Sequence, residues 1–243
     1  MKNGKSKFLV PQCLSALAPF KKSAFTLAEV LITLAIIGVV AAMTIPTLIS
    51  NYKEKVTVTK IKNFYSYFSN AYQLAKVDHG PISQWGVKNI EYQYDEDGKN
   101  IGLSQEDMDS RENIIKNMQP YLKTVKYLPF KSKSGAQDQG WFFKDGLAMV
   151  WLWYSKEADF YIATDGLPMR HDNMTTYKEN QNLYKFWIDD NKVYPAGYNN
   201  EEFKEYCLTG VDPTYCTGWI IRFGNMEYKR CNDLDMVTKN KCD

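Results

Sequence analysis

Histidine is almost missing from this chain: 243 residues hold two, His79 and His171. That scarcity removes the H-E-x-x-H type of metal centre, and no P-loop is present either. A Ser-His-Asp arrangement would have to use His171 in "GLPMRHDNMTTY", yet no G-x-S-x-G elbow accompanies it. His79 follows a long helical pattern, where a contact with the helix dipole is the simpler role. The five cysteines include no C-x₂-C pair, so the usual zinc-finger spacing is lacking. Basic excess is also lacking beyond residue 24. Residues 1–24 carry Lys2, Lys5, Lys7, Lys21 and Lys22 and no acid, so a chain of net charge +2 leaves −3 for residues 25–243. A mildly acidic body argues against a nucleic-acid partner, because phosphate binding needs a basic face.

Charge is absent again from residues 30–50, but here the absence defines a feature. About 20 uncharged, apolar residues suffice to span a bilayer, and the five lysines ahead of them favour a cytoplasmic N-terminus. A plain signal-anchor fits this pattern. So does a secretory signal peptide cut in "VVAA", with Val40 and Ala42 at the cleavage positions. Against the second, the helical pattern runs through Ala42 without an extended break. A lipoprotein signal at "LVPQC" fails because Gln12 is not small and no apolar run precedes it. One carboxylate, Glu29, stands at the head of the run. Thr26-Leu27-Ala28-Glu29 reads as a capping box, T-x-x-E before an apolar stretch, which keeps the acid near the headgroups. An acid deeper in the bilayer costs about 2.5–3.5 kcal/mol and usually has a partner.

Past the apolar run, Ile61, Phe64, Tyr65, Phe68, Tyr72 and Ala75 recur at helical steps, and His79-Gly80-Pro81 stops the pattern. One helix over 26–78 would be roughly 80 Å long at 1.5 Å per residue, too long for a compact core. A second helix is expected after Ser104, with Glu106 and Asp107 in its first turn. Met108, Ile115, Met118, Leu122 and Val125 follow at helical spacing, split by Pro120. "WFFKDGLAMVWLWY" predicts a hairpin around Asp145-Gly146 whose second strand is central, and short strands are expected at 159–164, 184–188 and 192–194. "GWIIRFGNMEYKR" reads as a last hairpin turning at Gly224-Asn225. The sum is an α+β fold: a long N-terminal helix packed on an antiparallel sheet.

"AFTLAEVLITLAIIGVVAAMTIP" resembles the N-terminal segment of type IV prepilins and the pseudopilins of type II secretion. That pattern has a basic leader, a small residue at the cut, then Phe and a Glu as fifth residue of the mature chain. Phe25 and Glu29 match the register, and Ala24 stands where the family usually has Gly. Gly38 and Pro46 fall where the family tends to carry helix-weakening residues. The resemblance implies cleavage between Ala24 and Phe25, N-methylation of Phe25, and assembly through Glu29, Gly38 and Pro46. It divides the chain into a leader (1–24), a membrane and assembly helix (25–49), the helix's amphipathic half (50–78) and a pilin-like extracytoplasmic head (79–243). Implied partners are other pilin-like subunits, a prepilin peptidase, the inner-membrane assembly machinery and, before assembly, membrane lipid.

Cys207, Cys216, Cys231 and Cys242 lie together near the C-terminus, whereas Cys13 precedes the apolar run. An even, clustered set in an exported region reads as two disulfides, with three pairings open. No cofactor is expected. "YDEDGKNIG" invites a calcium reading, but counting from Asp95 the EF-hand glycine position holds Asn100. Asp189-Asp190-Asn191 has hairpin-turn composition. Trp141, Trp151, Trp153 and Trp187 allow an adhesive platform, or the filling of a sheet-to-helix core. The expected role is thus a structural filament subunit and not an enzyme, with a membrane-anchored binding protein or adhesin as the alternative.

Overall fold

The computed structural model describes residues 26–87, 92–98, 100–122, 125–131, 137–143, 145–154, 158–164 and 182–243. The chain divides into two compact units, Met1–Leu48 and Ile49–Asp243. Helix α1 runs Leu27–His79 and contributes to both. It ends where the sequence predicts: Gly80 takes φ +76°, and its N–H donates to the Lys76 carbonyl at 3.0 Å.

In the second unit, six strands form one antiparallel sheet in chain order: β3 (Val125–Lys131), β4 (Gln137–Phe143), β5 (Ala148–Tyr154), β6 (Ala158–Ala163), β7 (Leu183–Ile188) and β8 (Val193–Pro195). A separate two-stranded ribbon pairs β1 (Tyr92–Tyr94) with β2 (Asn100–Leu103). The "YDEDG" stretch is the turn of that ribbon, with Gly98 N–H on the Asp95 carbonyl at 2.9 Å. The expected β4–β5 hairpin is present, and Gly146 turns it with φ +81°. Strand β5 lies between β4 and β6, as its apolar run predicts.

Alternation along β6 and β7 sends Phe160, Ile162, Tyr184, Phe186 and Ile188 to one face, where they bury Ile61, Phe64, Phe68, Tyr72 and Ala75 of α1. Phe64 is the centre, with ring centroids of Phe68, Phe143 and Phe186 between 5.1 and 5.5 Å away. Such aromatic pairs add to the area term that drives the docking. The β7–β8 turn reaches the same helix. Asp189 Oδ1 accepts from the backbone of Asn191 and Lys192, both at 2.7 Å, and the Asp189 carbonyl accepts from Tyr72 OH at 2.8 Å. Helix α2 (Gln105–Met118) follows Ser104 as expected and stops at the turn containing Pro120.

Two expectations are overturned. Val125 is not the last apolar position of a helix; it opens β3, the edge strand, where Pro129 is tolerated because one side of its backbone has no ladder partner. "GWIIRFGNMEYKR" is not a hairpin. Residues Thr217–Phe223 form helix α4, Gly224 closes it in the left-handed region (φ +69°) with its N–H on the Ile220 carbonyl, and a 3₁₀ turn follows at Glu227–Lys229. A short apolar run satisfies a strand and a buried helix alike; here packing decides. Trp219 stacks on Phe203 at 4.6 Å, and its Nε1 donates to Asn225 Oδ1 at 2.7 Å. Phe203 opens a wide-turn helix, Phe203–Leu208, that continues the short α3 (Asn200–Glu202).

The cysteines pair as near neighbours, Cys207–Cys216 and Cys231–Cys242. Each closes a short loop, and the first adjoins a small core of Phe203, Trp219, Leu234 and Met236. Asp235 organises the tail between the second pair. Lys204 Nζ donates to its Oδ2 at 2.5 Å and Asn200 Nδ2 does so at 2.9 Å, while the N–H groups of Val237 and Thr238 reach Oδ1. These donors, Lys204 foremost, hold the Asp235 carboxyl well below the ordinary carboxylate range. A folded-state pKa below the unfolded one gives stability that is complete above about pH 4 and declines as pH falls further. Asp235→Asn is therefore expected to lower the denaturation midpoint at pH 7 and to flatten its fall below pH 4. An unchanged acid slope would remove Asp235 from that role.

Candidate functional site

The head of α1 is built as a capping box. Thr26 is the residue before the helix, and its carbonyl accepts from Val30 N–H at 3.2 Å. Thr26 Oγ1 accepts from Glu29 N–H at 3.2 Å, while Glu29 Oε2 accepts from Thr26 N–H and from Thr26 Oγ1, both at 2.8 Å. Two backbone donors with no partner inside the helix are thereby satisfied at the end facing residue 25. Phe25 and Ala24 lie outside the described residues. In the single chain Glu29 is thus a cap. Its charge nonetheless has no cation beside it among the described residues.

Over its first half, from Leu27 to Ser50, the helix is bare. Leu31, Ile32, Leu34, Ile36, Ile37, Met43 and Leu48 are all exposed, and none of the most apolar 18-residue window is buried. A continuous apolar surface of this extent demands a non-aqueous surrounding, either lipid or other helices. Two threonine hydroxyls in the span are satisfied within the helix, as such a medium requires: Thr33 Oγ1 donates to the Val30 carbonyl and Thr44 Oγ1 to the Val40 carbonyl, each at 2.9 Å. Gly38 has open space around it, with nothing within 4 Å of an added Cβ. Neither Gly38 nor Pro46 interrupts the helix, although Pro46 contributes no N–H.

Other sequence candidates have structural places. His79 is exposed at the helix end beside the ring of Tyr121, 6.5 Å away. Trp141 is only 1% exposed and belongs to the core, so it takes no part in an adhesive platform. Trp187 is half-buried beneath Lys185, whose Nζ lies 4.1 Å from the ring centroid. The side chains of Trp151 and Trp153, and all of His171, lie outside the described residues.

Sequence reasoning missed the ion pairs, among them two that tie separate parts of the chain together. Lys185 Nζ meets Asp159 Oδ2 at 2.8 Å, both nearly buried, on diagonal positions of β6 and β7. The charges appear in the sequence as one acid and one base in otherwise apolar strands, which is the available signal. Arg230 Nη2 meets Glu54 Oε2 at 2.6 Å across 176 residues of sequence, tying the stapled tail to α1. No local pattern announces that contact.

Comparison with known families gives two matches. Residues 19–45 match the prokaryotic N-terminal methylation motif, the prepilin-type cleavage and methylation signature of type IV pilins and pseudopilins. Residues 47–233 match a family of unknown function, DUF6613. Neither curated proteins nor solved structures give a significant match.

Proposed function

This chain belongs to DUF6613, and from the prepilin-type methylation motif directly ahead of that match we propose that it is a structural subunit of a type IV pilus or type II secretion-type filament. The observation that carries the reading is the bare apolar helix headed by the Thr26–Glu29 box, inside the matched motif. The subunit would be inserted with its leader in the cytoplasm and its disulfide-stapled head outside. A prepilin peptidase would cut between Ala24 and Phe25, and the new Phe25 amine would be methylated with its charge kept. Such an amine is cationic near neutral pH. In a packed bundle of apolar helices it supplies the partner that the Glu29 carboxylate of a neighbouring subunit lacks. Helix α1 then serves twice, as membrane anchor and as filament core. The role is structural; the protein is a peptidase substrate and not an enzyme.

Shearing and ultracentrifugation test the reading. The protein is expected in the pelletable fibre fraction of cells that contain the peptidase, and only in the membrane fraction of cells that lack it. Equal pelleting in both would favour the anchored binding protein.

A further inference from the structure

The first residues of α1 in the second unit carry an unusual charge pattern. Tyr52, Lys53 and Lys55 follow the span at once, and all three are exposed, Tyr52 at 68%. The one acid among them, Glu54, is already neutralised by Arg230 at 2.6 Å. Among the described residues neither lysine has an ion pair. Side chains on a helix turn by about 100° per residue. Lys53 and Lys55, about 160° apart, therefore point to nearly opposite sides, and Tyr52 lies between them, nearer Lys55. Glu54 takes the remaining side, which it shares with buried Ile61 seven residues on. A single protein partner would need its cations on one face. Cations and an aromatic ring spread around a helix suit a medium that surrounds it.

Axial position identifies that medium. Lys53 and Lys55 lie four and six residues past Ile49, about 6 and 9 Å along the axis at 1.5 Å per residue. The headgroup layer is about 5–8 Å thick on each side of the hydrocarbon; Lys53 falls inside it, and the long Lys55 side chain, tilted toward the helix N-terminus, reaches it from just beyond. Tyrosine is enriched at that level, and each lysine near an anionic surface contributes about 1 kcal/mol, or roughly fivefold in affinity.

We propose that Tyr52, Lys53 and Lys55 form a collar that binds anionic phospholipid headgroups on the membrane face opposite the leader. The collar holds the unassembled subunit at a fixed depth. This inference rests on the single-pass reading given above.

The uncut full-length protein, purified in neutral detergent, can be titrated with phosphatidylglycerol or with phosphatidylcholine of the same acyl chains and read by native mass spectrometry. Wild type is expected to retain phosphatidylglycerol preferentially. The double variant Lys53→Gln/Lys55→Gln should lose that preference at least tenfold, whereas Lys21→Gln/Lys22→Gln in the leader should keep most of it. Three results would each overturn the collar. One is equal retention of both lipids by wild type. Another is loss of preference in the leader variant alone. The third is carbodiimide coupling of Lys53 or Lys55 to a second copy whether or not phosphatidylglycerol is present. Because the uncut chain is used, a failure of cleavage before Phe25 would defeat the filament reading without touching this measurement.

Discussion

Alanine at position 29 is expected to leave the protein in the membrane fraction at wild-type levels and to remove it from the sheared fibre fraction, a loss of at least a hundredfold. The magnitude follows from what the carboxylate faces in each state. In the single chain its partners among the described residues are the Thr26 N–H and hydroxyl, both at 2.8 Å, an end-cap whose loss costs about 0.5–2 kcal/mol. In an assembled bundle a cationic Phe25 amine left without its carboxylate costs about 3–5 kcal/mol, a factor of a hundred or more in the assembly equilibrium. Glutamine separates the two roles. Gln serves as well as Glu in a capping box but carries no charge. If capping were the function, Glu29→Gln would assemble normally. If charge pairing is the function, Glu29→Gln fails as Glu29→Ala does, with insertion intact in both. Fibre yield in the three strains, measured against total membrane-bound protein, decides between them.

The second large effect concerns the head. Gly218, in the first turn of α4, lies so close to residues 197–198 that an added Cβ would sit 2.0 Å from the Gly197 carbonyl oxygen and 2.7 Å from the Tyr198 nitrogen. Both obstacles are backbone atoms, so no rotamer change relieves them. The approach is held by the Gly218 N–H on the Ala196 carbonyl at 2.8 Å. Gly197 is equally confined on its own other side: it takes φ +67°, and a Cβ there would meet the Tyr215 carbonyl at 1.9 Å. This backbone-on-backbone contact seats Trp219 against Phe203 and positions Cys216 for its bond to Cys207. Gly218→Ala should therefore destabilise the head by about 3 kcal/mol or more, the overpacking of a site that has no soft neighbour. Gly210→Ala is the matched control. Its φ of +70° is left-handed, which that of Gly218 is not, but nothing lies within 4 Å, so only the conformational cost of about 1–2 kcal/mol applies. Urea midpoints of the detergent-solubilised full chains give the comparison. Equal losses for the two variants would show that the close approach is not what stabilises α4.

Periodicity explains which parts of the fold were legible. Ile61, Phe64, Phe68, Tyr72 and Ala75 declare the buried face of α1 because one helix side meets one sheet face over several turns. The β4–β5 hairpin was legible because Asp145-Gly146 supplies a turn that few sequences satisfy otherwise. Val125 was misread because helical spacing continues past Pro120 by coincidence, and an edge strand carries too little alternation to contradict it. "GWIIRF" was misread because six residues, apolar but for Arg222, are too few to show a period of their own. Its helical state depends on Gly197, twenty-one residues away from Gly218, and on Phe203. The cysteine pairing was undetermined for the same reason, since three pairings are equivalent until the fold brings partners together. At the candidate site the T-x-x-E box was readable in full. The second role proposed for the acid was legible only through the resemblance, because the proposed partner belongs to another chain and would exist only after a peptide bond is broken.

That broken bond is the point on which the account turns, and the mass of the N-terminal peptide from fibre-derived protein measures it directly. The account predicts a peptide that begins at Phe25 and is heavier than the unmodified peptide by one methyl group. A peptide that still carries Met1 and the five leader lysines, recovered from intact fibres, would contradict it.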